Sequence, residues 1–154
     1  NFGDADVPAQ IAVLEGKSLL TPQQAKAVDI PALERLLASP LARELRQAEA
    51  AGKPPLREYR FTLLVPAREY DSQASEEDAI LLQGVADLCF ETEGGLTVVD
   101  FKTDHVFTPQ EITDRAERYR PQLEAYSLAL TRVLEIPVTR RVLYFLSPGK
   151  AVDV

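Results

Sequence analysis

The chain holds one cysteine, one histidine, no methionine and no tryptophan in 154 residues. A single thiol, Cys89, excludes a disulfide framework, an iron–sulfur cluster held by the chain's own cysteines and a cysteine-based zinc site. A single imidazole, His105, excludes a histidine-rich metal centre, so any metal must be a hard cation held by oxygens. No apolar run approaches the ~20 residues of a membrane span. No basic-then-apolar leader opens the chain, so nothing in it suggests secretion. Positive charge is also short: 17 Lys and Arg stand against 24 Asp and Glu, a net charge of −7. Bulk electrostatics therefore do not advertise nucleic-acid binding, although a cleft can be locally basic and carboxylates at a metal site add to the negative count. A first residue of Asn1 in a chain without methionine leads us to expect a fragment cut from a longer protein.

What is present is ordinary globular composition, with 45% hydrophobic and 27% charged residues, in a length that suits one compact domain. A short helix fits Pro8–Glu15. Thr21-Pro22-Gln23-Gln24 reads as a capped helix start, Asp29-Ile30-Pro31 as a second and Ser39-Pro40 as a third, so residues 22–51 form a helical stretch that Gly52-Lys53-Pro54-Pro55 ends. Strand formers dominate 58–65, 80–91, 96–103 and 141–146. Residues 68–78 read as a loop. Thr108-Pro109-Gln110-Glu111 is a capping box opening a helix, which Pro121 is expected to kink or restart and Pro137 to close. Helices, three strands, a helix and a last strand make an α/β fold with a mixed central β-sheet flanked by helices, because a strand–helix–strand return favours parallel pairing.

The strand pair 80–91 and 96–103 carries the chemistry. If Gly94-Gly95 is a two-residue hairpin loop, Cys89 lies opposite Asp100 and Asp87 opposite Lys102. Asp87, Asp100 and Lys102 then share one face of the sheet, while Leu88, Phe90, Val99 and Phe101 form an apolar opposite face suited to a packed helix. Two neighbouring aspartates repel unless a cation intervenes. Mg²⁺ prefers such oxygens, and a metal there would polarise a phosphoryl oxygen and acidify a bound water. The same alternation describes any half-exposed antiparallel pair, in which Asp87–Lys102 is simply a cross-strand ion pair. Arg115, Arg118 and Arg120 read as a phosphate-contacting cluster or as a solvated helix face. Glu58 is either within reach of the site or structural on an edge strand. Cys89 reads as buried and inert, and His105 as a solvated loop residue. No G-x-x-x-x-G-K-[ST] motif, and so no ATP site, lies in the chain.

Gln83-Gly84-Val85-Ala86-Asp87, then Val99-Asp100-Phe101-Lys102-Thr103-Asp104, then Tyr119, Gln122 and Tyr126 together resemble the RecB-type nuclease module of the PD-(D/E)XK superfamily. The closest likeness is to the C-terminal nuclease domain of AddA-type helicase–nuclease subunits. Arg57-Glu58-Tyr59-Arg60-Phe61 and Leu20-Thr21-Pro22-Gln23-Gln24-Ala25 add to the likeness, which runs from about residue 10 to 146. The resemblance implies a restriction-endonuclease-like core and one nuclease domain over 1–154, with a helical part at 1–55 and a catalytic core at 56–147. It implies that Asp87 and Asp100 ligate Mg²⁺ (or Mn²⁺) together with the backbone carbonyl of Phe101. Lys102 is then the catalytic lysine, and Gln122 and Tyr126 line the site from one helix face. The implied activity is exonucleolytic hydrolysis of DNA, within an ATP-dependent helicase–nuclease that serves double-strand-break repair and recombination. The implied partners are helicase domains of the same parent chain and an AddB-like subunit, in the bacterial cytoplasm. Such modules also carry a G-x-x-x-H histidine on an upstream helix. This chain lacks it, so the metal site is expected to be one ligand short. The alternative is a catalytically silent module that serves as a DNA-binding or subunit-interaction scaffold.

Overall fold

A computed structural model describes residues 2–3, 6–69 and 71–154. Four helices come first: α1 (Val7–Gly16), α2 (Pro22–Ala27), α3 (Ile30–Ala38) and α4 (Pro40–Ala50). Their starts follow local chemistry. Thr21, Asp29 and Ser39 each accept a backbone N–H three residues on, and a proline stands at the first or second helical position behind each. That proline costs nothing, because the N–H it lacks has no helical acceptor.

The strands β1 (Leu56–Pro66), β2 (Ala79–Thr92), β3 (Gly95–Lys102), β4 (Val138–Phe145) and β5 (Lys150–Asp153) form one sheet in chain order. Only β3 and β4 run parallel, joined through α5 (Pro109–Leu134). The mixed sheet flanked by helices is as expected. The loop expected at 68–78 begins in a 3-10 turn at Ala67–Glu69, and its Tyr70 lies outside the described residues.

Three expectations need correction. First, the hairpin turn is Glu93-Gly94, so Cys89 lies opposite Val98 rather than Asp100. Gly95 is claimed by the strand: its φ is +133°, and a Cβ there would stand 2.5 Å from the Pro137 carbonyl, to which the next amide, Leu96 N–H, donates at 2.8 Å. The slip is by two residues, so the faces survive. Second, α5 is one continuous helix through Pro121. Pro121 is exposed, so the carbonyl it leaves without a helical donor can be solvated. Third, β5 was not expected. It forms because the turn around Gly149, whose φ is +65°, folds the chain back onto β4.

Each sheet face has its own cover. Leu88, Phe90, Val99, Val142 and Tyr144 pack against Leu36, Leu41, Leu45 and Ala48 of α3 and α4. On the other face, α5 packs twice. Ala129 and Leu130 meet Phe61, Ala86, Cys89, Leu96 and Val98. Nearer its N-terminus, Ala116 and Leu123 meet Val106, Leu143 and Phe145. No helix among the described residues is long and apolar enough to cross a membrane.

Candidate active site

Between the two apolar clusters under α5 lies a polar centre. Continuing the β2–β3 register one step beyond Leu88↔Val99 brings Asp87 opposite Asp100, where Asp87 Oδ2 accepts the Phe101 N–H at 2.8 Å. Asp87 thus stands where the ladder ends. The inward–outward alternation also breaks here. Ala86 and Cys89 are three apart yet both join the α5-side core, as do Leu56 and Tyr59 on β1. The register itself is unbroken, since Arg57↔Leu88 and Tyr59↔Ala86 flank the site. Both strands therefore bend together at Glu58 and Asp87, and Glu58 takes a left-handed φ of +48°. Glu58 is exposed on the edge strand.

Asp100 is 4% exposed. Lys102 Nζ sits 2.6 Å from its Oδ2. At that distance the ammonium both pairs with the carboxylate charge and hydrogen-bonds it, though the angle is poor. Burial pushes the Asp100 carboxyl above the usual aspartate range; the Lys102 ammonium pulls it back, and Asp87 adds to the upward push. Gln122 ties the centre together. Its Nε2 donates to Asp100 Oδ1 at 3.3 Å and to the Tyr126 hydroxyl at 3.1 Å, and its Oε1 accepts from Lys102 Nζ at 3.2 Å. Tyr126 is held edge-on by Phe61, with centroids 5.1 Å apart. Gly84 makes that approach possible, because a Cβ there would stand 2.8 Å from Phe61 and 3.0 Å from Tyr126.

The structure therefore brings Asp87, Asp100, Lys102, Gln122, Tyr126 and the Phe101 backbone to one place. Among the described residues no three His, Cys, Asp or Glu side chains converge to hold a metal ion, so the acidic complement is Asp87 and Asp100. The arginine cluster separates: Arg120 is engaged by Glu117 through two nitrogens, and Arg115 lies 3.5 Å from Asp104. Arg118 is exposed, one turn before Gln122 on the helix. Cys89 is fully buried, and burial first, then Asp87, pushes its thiol up to about 12. His105 is exposed.

Sequence reasoning left out what lies beside Lys102. Its ammonium is 3.9 Å from the centroid of the Tyr119 ring, and the Tyr119 hydroxyl donates to Asp104 at 3.1 Å. The signals were Tyr119 three residues before Gln122 and Asp104 two residues after Lys102, but only the folded crossing of β3 and α5 joins them.

A family model described as the PD-(D/E)XK nuclease superfamily matches residues 5–153. The chain is also similar to bacterial proteins named as ATP-dependent helicase/nuclease subunits. It is 35% identical over 154 residues to the one from Acetivibrio thermocellus, covering 97% of this chain and 12% of that protein. With the one from Desulforudis audaxviator it shares 37% over 147 residues, covering 94% and 12%. With that of Ruminiclostridium cellulolyticum it shares 31% over 158 residues, covering 100% and 12%. The chain thus spans about an eighth of the length of these relatives.

Proposed function

The chain belongs to the PD-(D/E)XK nuclease superfamily, and from that premise we propose that it is the Mg²⁺-dependent DNA-cleaving domain of an AddA-like helicase–nuclease. The observation that carries this reading is the buried Asp100–Lys102 pair, with Asp87 at the end of the same strand pair and Gln122 touching both partners. Asp100 is withdrawn from water with Asp87 beside it and the Lys102 ammonium against it, which fits a carboxylate meant for a cation. The donor set of two carboxylates and the Phe101 carbonyl suits a hard ion that keeps several waters, Mg²⁺ or Mn²⁺. Bound there, such an ion supplies Lewis-acid polarisation of a phosphoryl oxygen and a more acidic water.

The chain's own groups supply the rest. Asp87 and Asp100 are the ligands. Lys102 holds a compact positive charge beside them, where negative charge grows on a phosphate under attack. Gln122 orients both Asp100 and Lys102, and Tyr126 fixes which way its amide points by accepting from Nε2. Arg118 is the cation nearest Gln122 on α5 that no carboxylate occupies among the described ion pairs, and it suits a backbone phosphate of DNA. In this reading the substrate is DNA and cleavage is exonucleolytic. The domain occupies 1–154, with helicase domains on the same parent chain and an AddB-like subunit beside it. The work is end processing for double-strand-break repair and recombination in the bacterial cytoplasm. The absence of a third acidic or imidazole ligand among the described residues favours a second reading, a silent nuclease fold that only binds DNA or another protein of the assembly.

One experiment separates them. In the full-length protein, Asp100→Ala and Lys102→Ala are each assayed on linear duplex DNA with Mg²⁺ and ATP, beside strand separation and ATP hydrolysis. Cleavage is expected to fall ~10²–10³-fold or more while unwinding persists. Near wild-type cleavage by Lys102→Ala would overturn the nuclease reading. Lys102→Arg is not expected to rescue, because a planar fork does not occupy the place of an ammonium.

A further inference from the structure

Lys102 is the last residue of β3, and its side chain is 13% exposed. Three groups meet its ammonium: Asp100 at 2.6 Å, Gln122 at 3.2 Å and the face of the Tyr119 ring at 3.9 Å from the centroid. One of these is committed elsewhere when the site works: the Asp100 carboxylate is a metal ligand in the nuclease reading, so its hold on Lys102 weakens when the metal binds. Gln122 gives its Nε2 to Asp100 and Tyr126 and keeps its Oε1 for Lys102. That one amide oxygen and the aromatic face are the contacts that remain.

That face is itself fixed. The Tyr119 hydroxyl donates to both oxygens of Asp104, at 3.3 and 3.1 Å. An anionic acceptor holds the ring's tilt and enriches its π-cloud, which strengthens attraction to a cation. Asp104 lies two residues past Lys102, and Arg115, one turn before Tyr119, approaches it at 3.5 Å. The strand end and the helix are thus tied at Asp104, and the ring is set against the ammonium between them. A cation over a ring in a partly desolvated site is a significant interaction.

We propose that Tyr119 is the positioning residue for Lys102, its Asp104-anchored ring holding the ammonium in place once the metal has taken Asp100. This rests on the nuclease reading. Because the ring acts on a group that meets developing charge, its loss lowers kcat and leaves KM for DNA nearly unchanged.

The test uses three substitutions in the full-length protein. Tyr119→Phe keeps the ring and loses the hydroxyl; its kcat is expected within about threefold of wild type, with KM unmoved. Tyr119→Leu removes the ring, and kcat is expected to fall on the order of tenfold. Should Tyr119→Leu not fold, Tyr119→Gln, which suits a helix at a half-buried position, carries the same comparison. Lys102→Ala is the reference. A second readout needs no cleavage: the rate at which an amine-acylating reagent modifies Lys102 with Mg²⁺ present and DNA absent, mapped by peptide mass spectrometry. Modification is expected to be several-fold faster in the ringless variant and intermediate in Tyr119→Phe, which keeps the ring but loses its Asp104 anchor. If Lys102→Ala abolishes cleavage but the ringless variant keeps wild-type kcat, or labels no faster than wild type, the proposal is overturned and the nuclease reading stands. If Lys102→Ala cleaves normally while the labelling difference persists, the nuclease reading falls, and with it the ring's part in the reaction.

Discussion

Val99 and Asp100 are neighbours on β3, and both are withdrawn from water, at 0% and 4% exposure. Their surroundings differ completely. Val99 points into the closed cluster of Leu36, Leu41, Leu45, Phe90 and Tyr144, where the surface removed from water is mainly apolar. Asp100 points under α5 into a centre whose partners are Lys102 and Gln122, and burial acts against its charge. One face of the strand pair is built for stability. The other keeps a charged group where folding alone would not place one, as a functional site does. Substitutions on the two faces should therefore differ in sign.

The largest effect is expected on the apolar face. Phe90 is 1% exposed among the α3–α4 side chains, and truncation to alanine removes its transfer energy and leaves a cavity. Phe90→Ala should cost ~3–5 kcal/mol, read from the urea midpoint of the chain. The Asp100–Lys102–Gln122 contacts lie across the sheet and should be spared, so any molecules still folded should keep their site. A loss under about 1 kcal/mol would show that this face packs loosely and that the two faces differ less than their burial implies.

On the polar face the sign should reverse. A carboxyl whose folded pKa is raised binds its proton more tightly in the folded state than in the unfolded one, where the value is about 3.9. Its ionisation therefore costs stability. The cost is absent below the unfolded pKa, grows as pH rises through the window up to the raised folded value, and is fully present above it. Asn mimics the neutral form. Without metal, Asp100→Asn should be as stable as wild type or more so, by about 0.5–2 kcal/mol near neutral pH. The difference should vanish in acid. The measurement is the melting temperature of both proteins in chelator across pH. A neutral-pH loss would mean that the Lys102 ion pair outweighs burial, giving Asp100 a structural role.

This contrast was only partly legible in the sequence. The helix starts at Thr21, Asp29, Ser39 and Thr108 could be read because capping is local: the cap and the amide it satisfies are three residues apart. The face shared by Asp87, Asp100 and Lys102 was legible because strand periodicity is two, and it survived a wrong turn because the slip was also two. The turn itself was not legible. Gly95 is held in the strand by Pro137, 42 positions on, and no local pattern records that contact. The joint bend at Glu58 and Asp87 escaped for a similar reason, since each strand read alone appears regular. Tyr119 was visible as part of a motif, but its place over Lys102 depends on how α5 crosses β3. Local chemistry and period could be read; whatever depends on two distant segments meeting could not.

The smallest expected effect concerns a polar atom on the wrong face. Tyr144 is 1% exposed inside the apolar cluster, and its hydroxyl is buried with no aligned hydrogen-bond partner among the described residues. Burial raises its pKa, while Ser39 and the Arg35 guanidinium nearby pull it partly back, so the hydroxyl has at best a poorly aligned bond to Ser39. Unlike Asp100, it faces the α3–α4 side, away from Lys102 and Gln122. If the apolar face is organised for stability alone, this oxygen is a residual cost, since an unsatisfied buried hydroxyl forfeits its hydration without compensation. Tyr144→Phe keeps the ring, including its edge-on contact with Phe101 at 6.1 Å between centroids. It should stabilise the chain by up to ~1 kcal/mol, a rise of about 2–4 °C in melting temperature for a chain of this size, with DNA cleavage by the full-length protein unchanged. The opposite pair of results, a lower melting temperature together with slower cleavage, would mean that the hydroxyl has a partner in solution and that the two faces communicate through Phe101, whose backbone amide holds Asp87.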